Sequence, residues 1–283
     1  MLPPNGRRER VMGAVFAIWA LAAPAGEVGE AELKRETLEA WTRYVQATER
    51  RIEPELRSPR GFLALDFQPA GRAAEERRAV MSGEVAVESM ETRNGDDREI
   101  DVPSGSIEHW RGAILLPGVT LAQVVEALRS GATLEGQPDV LESRILARDG
   151  DSMRTFLRLR RESIVTVTYA TEHDVTIRRL SADRASSRSV ATRIAEIENA
   201  GKPDEQEKPV GHDRGFLWRL NSYWRYEQTP AGVLIEVESL TLSRGVPMLL
   251  YPIARPIINR TARESIRTTL TALRATLSGG RGR

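Results

Sequence analysis

Gly215–Leu277 reads GFLWRLNSYWRYEQTPAGVLIEVESLTLSRGVPMLLYPIARPIINRTARESIRTTLTALRATL, and the fold turns on this stretch. Before Thr229 it is rich in Trp, Tyr and Leu; after Gly232, Val233, Ile235 and Val237 alternate with Glu236 and Glu238. Aromatic and β-branched residues at period two predict two strands. Pro230 and Gly232 supply the turn between them. A loop of two or four residues sets Arg225 opposite Glu236 or Glu238, with Tyr223, Asn221 and Arg219 on the same face. Trp218, Trp224 and Tyr226 then share the other face with Val233, Ile235 and Val237. A three-residue loop would set Arg225 against a valine and leave the charges unpaired, so an even loop is predicted. Large side chains on both faces predict that each is at least partly covered.

Beyond Arg244 the period changes. Val246, Leu249, Leu250 and Ile253 are spaced by three and four, as are Ile258, Ala262, Ile266, Leu270, Leu273 and Leu277. Pro252 and Pro256 interrupt the pattern, which predicts a short helix, a kink and a long helix opening near Pro256. The stripe on that helix needs an apolar partner, and the preceding sheet is the one at hand.

Upstream, Glu30 to Leu56 predicts a helix with Leu38, Trp41, Val45, Thr48 and Ile52 on one face, ended by Pro54 and Pro59. Its polar face mixes glutamates with arginines, which suits packing on the domain better than lying on a membrane. Ala73 to Met81 predicts a further short helix. Strands follow at Glu84–Met90 and Ile107–Leu116, with an Asn94-Gly95 turn between them. Thr120 caps a helix to Ser130, and four more strands run over Val140–Arg148, Met153–Arg161, Ile164–Leu180 and Ala185–Glu198. Asn199 to Asp213 is a polar loop.

The amino terminus has Arg7, Arg8 and Arg10 before an apolar run from Val11 to Ala23, then Ala23-Pro24-Ala25. A basic head, a short apolar middle and small exit residues predict a secretory leader over 1–25, cleaved before Gly26, and hence a periplasmic or secreted protein. The run is shorter than the roughly 20 residues of a membrane span, so no stable span is expected after cleavage. The expected organisation is a leader (1–25), a helical extension (26–80), a main domain (81–278) and a frayed tail (279–283).

Composition narrows the chemistry. With 41 basic and 40 acidic residues the formal charge is +1, and no global field draws the chain to nucleic acid. There is no cysteine, which excludes disulfides and thiolate chemistry. His109, His173 and His212 have no ligand spacing, so neither metal nor cofactor is expected. His212-Asp213 reads as a solvated turn, and no phosphate loop or nucleophile elbow occurs.

The strand–helix–meander–long-helix order from Ser106 to Leu277 resembles the START-like, or birch-pollen-allergen-like, superfamily (SRPBCC), in an exported bacterial form. The resemblance is carried by His109-Trp110-Arg111-Gly112 with Pro117-Gly118, Asp139–Arg144, Gly215–Arg225 and Gly232–Pro247. It implies an α+β helix-grip fold: a curved antiparallel sheet around the C-terminal helix, with an apolar cavity between them for a lipid or another hydrophobic small molecule. Trp110, Tyr169 and Tyr223 are the candidate lining, under the C-terminal helix and the loop Gly131–Pro138. Arg225 with Glu236 or Glu238 would orient a polar head group, and Asn221 and Arg144 are further candidate ligand-binding residues. Two other readings stand beside this one. The first is a cyclase- or aldolase-like enzyme using Tyr223 and Arg225 as acid and electrostatic stabiliser. The second is a filled domain used for protein contacts.

Overall fold

The computed structural model describes residues 29–134, 137–162, 166–246 and 251–279. The expected leader and the tail beyond 279 lie outside the described residues. In chain order the elements are β1 (Ala31–Glu32), α1 (Arg35–Leu56), a 3-10 turn (Ala64–Phe67), α2 (Ala70–Met81), β2 (Ala86–Ser89), β3 (Gly105–Pro117) and α3 (Leu121–Ser130). Then come β4 (Val140–Asp149), β5 (Ser152–Glu162), β6 (Thr166–Arg179), β7 (Arg184–Glu198), β8 (Gln206–Glu207), β9 (His212–Asp213), β10 (Arg219–Thr229), β11 (Gly232–Arg244) and α4 (Tyr251–Gly279).

The main sheet runs β2-β3-β11-β10-β7-β6-β5-β4, with β8 attached to β7, and every pairing is antiparallel. The fold is α+β, with a C-terminal helix on the sheet and N-terminal helices besides. The β10–β11 loop has two residues, since Thr229 pairs with Gly232, and Arg225 faces Glu236 as the charge pattern requires. Gly232 sits at φ 145°, and a Cβ there would lie 2.0 Å from the Leu116 carbonyl oxygen; only glycine lets β3 and β11 close at that corner.

Contacts of α4 identify the two faces of the sheet. Opposed residues of antiparallel neighbours share a face. At Gly112 the helix comes so close that a Cβ would meet Ile266 Cγ2 at 2.3 Å and Leu270 Cδ1 at 2.8 Å. Gly112 therefore marks the concave, α4-covered face, on which Trp110, Val237, Trp224 and Ser187 also lie by register. Here Ile114, Leu116, Tyr226, Val233, Ile235 and Val237 pack with Leu270 and Leu273 of α4 and Leu121, Val124 and Val125 of α3. Thr120 and Gln123 close a reciprocal cap on α3.

The opposite face belongs to the N-terminal segment. Trp41, Tyr44, Ile52 and Leu56 of α1, with Phe62, Leu63, Leu65 and Val80, pack on Leu115, Tyr223, Leu234, Leu240 and Leu242. At roughly 1.5–3 kcal/mol for each large apolar side chain buried, this second core fastens 35–81 to the sheet.

Three local readings are amended. α1 opens at Arg35 and keeps Pro54 in its last turn, while Ala31–Glu32 pairs with His212–Asp213 inside the expected polar loop. α4 is continuous from Tyr251 through Pro252 and Pro256. The expected short helix over 246–253 falls largely outside the described residues. The Asn94-Gly95 turn forms, but it joins single bridge residues, Arg93 and Glu99, rather than two strands. Among the described residues no helix is long and apolar enough to cross a membrane.

Candidate binding site

The pairing of Arg225 with an acid is present, but on the other side of the sheet from α4. Arg225 Nη2 reaches Glu238 Oε1 at 2.9 Å and Glu55 Oε2 of α1 at 2.6 Å, and its Nη1 donates to the Phe62 carbonyl at 2.9 Å. Glu238 is shared: Arg51 of α1 also pairs with it, and His109 Nε2 lies 3.2 Å from its Oε2. Glu236, one pair along, accepts from the Ala64 and Leu65 amides at the start of the 3-10 turn and from Arg111 Nη1 at 3.2 Å. Arg111 continues to Glu76 and Glu88. Arg225, Glu236 and Glu238 are each 1% exposed, so this cluster is an interior one.

Its electrostatics follow from that burial. For Glu238 burial alone would raise the carboxyl, but the hydrogen bond from His109 and the charges of Arg51 and Arg225 overcome it and hold the group below the usual carboxylate range. Glu236 is pushed up by burial against the pull of Arg225 and Arg111. The Thr92 amide donates to the Tyr44 hydroxyl at 2.8 Å, and that hydroxyl lies 3.2 Å from His109 Nδ1. If Tyr44 donates to Nδ1, the imidazole proton on Nε2 is directed at Glu238 and both ring nitrogens are satisfied.

The expectation that Arg225, Tyr223, Asn221, Glu236 and Glu238 face the space under the C-terminal helix is thus corrected. Parity fixed which residues share a face; coverage by α1 decided which face it was. Tyr223 donates to Glu49 of α1 at 2.8 Å, and Asn221 Nδ2 donates to the Tyr223 hydroxyl at 3.2 Å. Arg144 is exposed on the outer side of β4, over the Phe156 ring at 4.4 Å and paired with Glu142 at 2.9 Å. Trp110 and Tyr169 do lie on the concave face. The Arg263 guanidinium of α4 sits 6.0 Å from the Trp110 ring centre. Burial, with Glu196 nearby, pushes the Tyr169 hydroxyl up.

The concave face is covered unevenly along α4. Leu270 and Leu273 are buried, and so is Ala254 near the other end of the stripe, whereas Ile258 and Ala262 in the amino-terminal half, and Ile266 at the middle, are only half-buried. From Trp110, which lies under Arg263 of that half of the helix, a row of opposed residues on the same face crosses six strands: Trp110, Ser239, Ser222, Ser189, Val175 and Met153. Ser239, Ser222, Ser189 and Val175 are half-buried although they stand on inner strands, and so is neighbouring Trp224. Serines do not fill the volume that a Leu or Val would occupy there. On the two sides of this row lie apolar patches, one around Val237 and Trp224 and one around Leu220, Ala191, Ile194, Leu157 and Tyr169.

Beside the row, on the same face, His173 is 4% exposed, with Nε2 at 2.9 Å from Thr171 Oγ1 and Nδ1 at 3.4 Å from Ser189 Oγ. Burial lowers its pKa to about 4. Sequence reasoning missed these serines and set His173 aside as a lone histidine. Three serines on three strands carry no spacing signal; only the pairing register makes them neighbours.

No protein-family model and no curated protein matches the chain. Among solved structures it is similar to the protein TTHA0849 of Thermus thermophilus, at 12% identity, TM-score 0.44, covering 61% of this chain and 98% of that one. It is similar also to a STAR-related lipid transfer protein of Xanthomonas axonopodis, at 19% identity, TM-score 0.43, covering 62% and 95%. Human STARD10 follows at 8% identity, TM-score 0.41, covering 74% and 80%. The helix-grip arrangement itself is read from the strand order of this chain and from α4 lying on one face of its sheet.

Proposed function

We propose that this protein binds an apolar small molecule, a lipid in the simplest case, between the concave face of its sheet and the amino-terminal half of α4. The observation that carries the reading is the half-buried serine-floored patch on inner strands, under a helix that seals the same face a few turns further on. Apolar patches on both sides with a few placed hydroxyls are the usual make-up of a small-molecule site. Trp110 and Tyr169 would line it. Arg225 and its partners act at a distance, by fixing the sheet from behind.

A ligand that binds only the folded state adds about 2.7 kcal/mol at a hundredfold excess over its Kd. Thermal melts against fatty acids, acylglycerols, phospholipids and sterols should give at least one clear upward shift, and organic extraction of the purified protein with mass spectrometry should recover a bound compound. Ser222→Trp, which fills the floor, should abolish the shift with the unliganded melt little changed. A flat panel with an empty extract would instead favour a filled domain used for protein contacts.

We also place the site of action outside the cytoplasm. Amino-terminal sequencing of the exported fraction should start near Gly26; an intact Met1 would overturn this.

A further inference from the structure

We propose that Ser189, Ser222 and Ser239 form the polar anchor of this site and select an uncharged, oxygen-bearing head group, such as a hydroxyl or an ester, over an anionic or cationic one. This rests on the binding reading above and adds to it the chemical class of the ligand.

The three serines are directly opposed across β7, β10 and β11. Opposed Cβ atoms lie roughly 5 Å apart, so the row spans roughly 10 Å, enough for a head group with two or three oxygens. The hydroxyls of Ser222 and Ser239 have no protein hydrogen-bond partner among the described residues, while that of Ser189 has only the 3.4 Å approach of His173 Nδ1. A hydroxyl both donates and accepts, so the row suits a ligand that does the same.

Charge on this face is kept off the serines and is paired: Glu196, opposite Tyr169, is held by Arg214 Nε at 2.7 Å, and further charges stand at the ends of the row. At the β3 end, Glu108 accepts from the Trp110 indole N–H and the Ser106 hydroxyl, both at 3.3 Å, while Arg263 stands over the Trp110 ring. An anionic head group would meet Glu108 and a cationic one Arg263. At the other side of the sheet, Arg161 is held by Asp139 at 2.8 Å. The imidazole beside Ser189 is uncharged through the neutral range because burial lowers its pKa. The Arg225–Glu238 cluster lies behind the sheet, with its charges already paired.

The test uses three probes that share one chain and differ in the head: monooleoylglycerol, oleate and oleylamine, each titrated below its aggregation concentration. Monooleoylglycerol should bind about tenfold more tightly than either charged probe. Ser222→Ala with Ser239→Ala should weaken monooleoylglycerol about tenfold and leave oleate within about twofold, while circular dichroism stays unchanged. Equal affinity for all three probes, tighter binding of a charged one, or equal loss for every probe in the double variant would overturn the serine anchor while leaving the binding reading intact. No binding by any probe, with a flat thermal panel, would overturn both.

Discussion

Arg225→Met is expected to lower stability by about 3–5 kcal/mol, the usual result of removing one partner from a buried ion pair. For a domain of this size that is a fall in Tm of roughly 10 °C. The size of the effect comes from what is left behind. Glu238 keeps Arg51 and His109, but Glu55 and the Phe62 carbonyl lose a donor in a region closed to water. For an isolated pair, replacing both partners with apolar residues recovers much of the loss. Here Arg225→Met with Glu238→Leu should recover little, because Arg51 and His109 would then have no acceptor at that position. Urea or thermal unfolding of both variants tests this. A single variant within about 1 kcal/mol of the parent would mean that the cluster is open to solvent.

Acid should destabilise the protein well above the carboxylate range. The His173 pKa is lowered from 6.5 to about 4, so the folded state binds the proton less readily than the unfolded chain does. Its contribution is complete above about pH 6.5 and disappears as the pH falls toward 4. At about 1.4 kcal/mol per pH unit this amounts to about 3 kcal/mol. His173→Gln, which can still bond to Thr171 and Ser189, should flatten the stability curve between pH 6.5 and 4.5. Below that window the depressed Glu238 carboxyl continues the loss in the same direction, whereas the raised Glu236 carboxyl opposes the loss inside the window, above about pH 4.5. Parallel curves for parent and variant would show that His173 is hydrated in the folded state.

Much of the fold was legible because its signals are local and periodic. Alternation in 219–244 with an even loop led to the observed register, and the stripe from Ile258 to Leu277 led to a helix that lies on the sheet. The side on which Arg225 would fall was not legible, since both faces of that strand carry large residues. Arg51 and Glu55 are part of the reason. As charged residues on a helix they looked like solvent-facing positions, yet they turn inward because Glu238 and Arg225 meet them there. The serine row was invisible for a different reason: its members stand on three strands, and their only common property is smallness at a place where bulk would be expected.

The clasp between α1 and the last hairpin also sets an order of assembly. Glu55 and Arg225 are 170 positions apart, and Arg51 and Glu238 are 187 apart. On a ribosome α1 is complete long before its counter-charges exist, so its inward arginine and glutamate must wait in water until the chain is almost finished. Contacts this distant make closure slow, because loop entropy is lost before any of them forms. A chain released before Glu238 would have apolar surface for α1 but would lack the carboxylate that Arg51 and Arg225 share. α1, made early, is thus among the last parts to be locked in place.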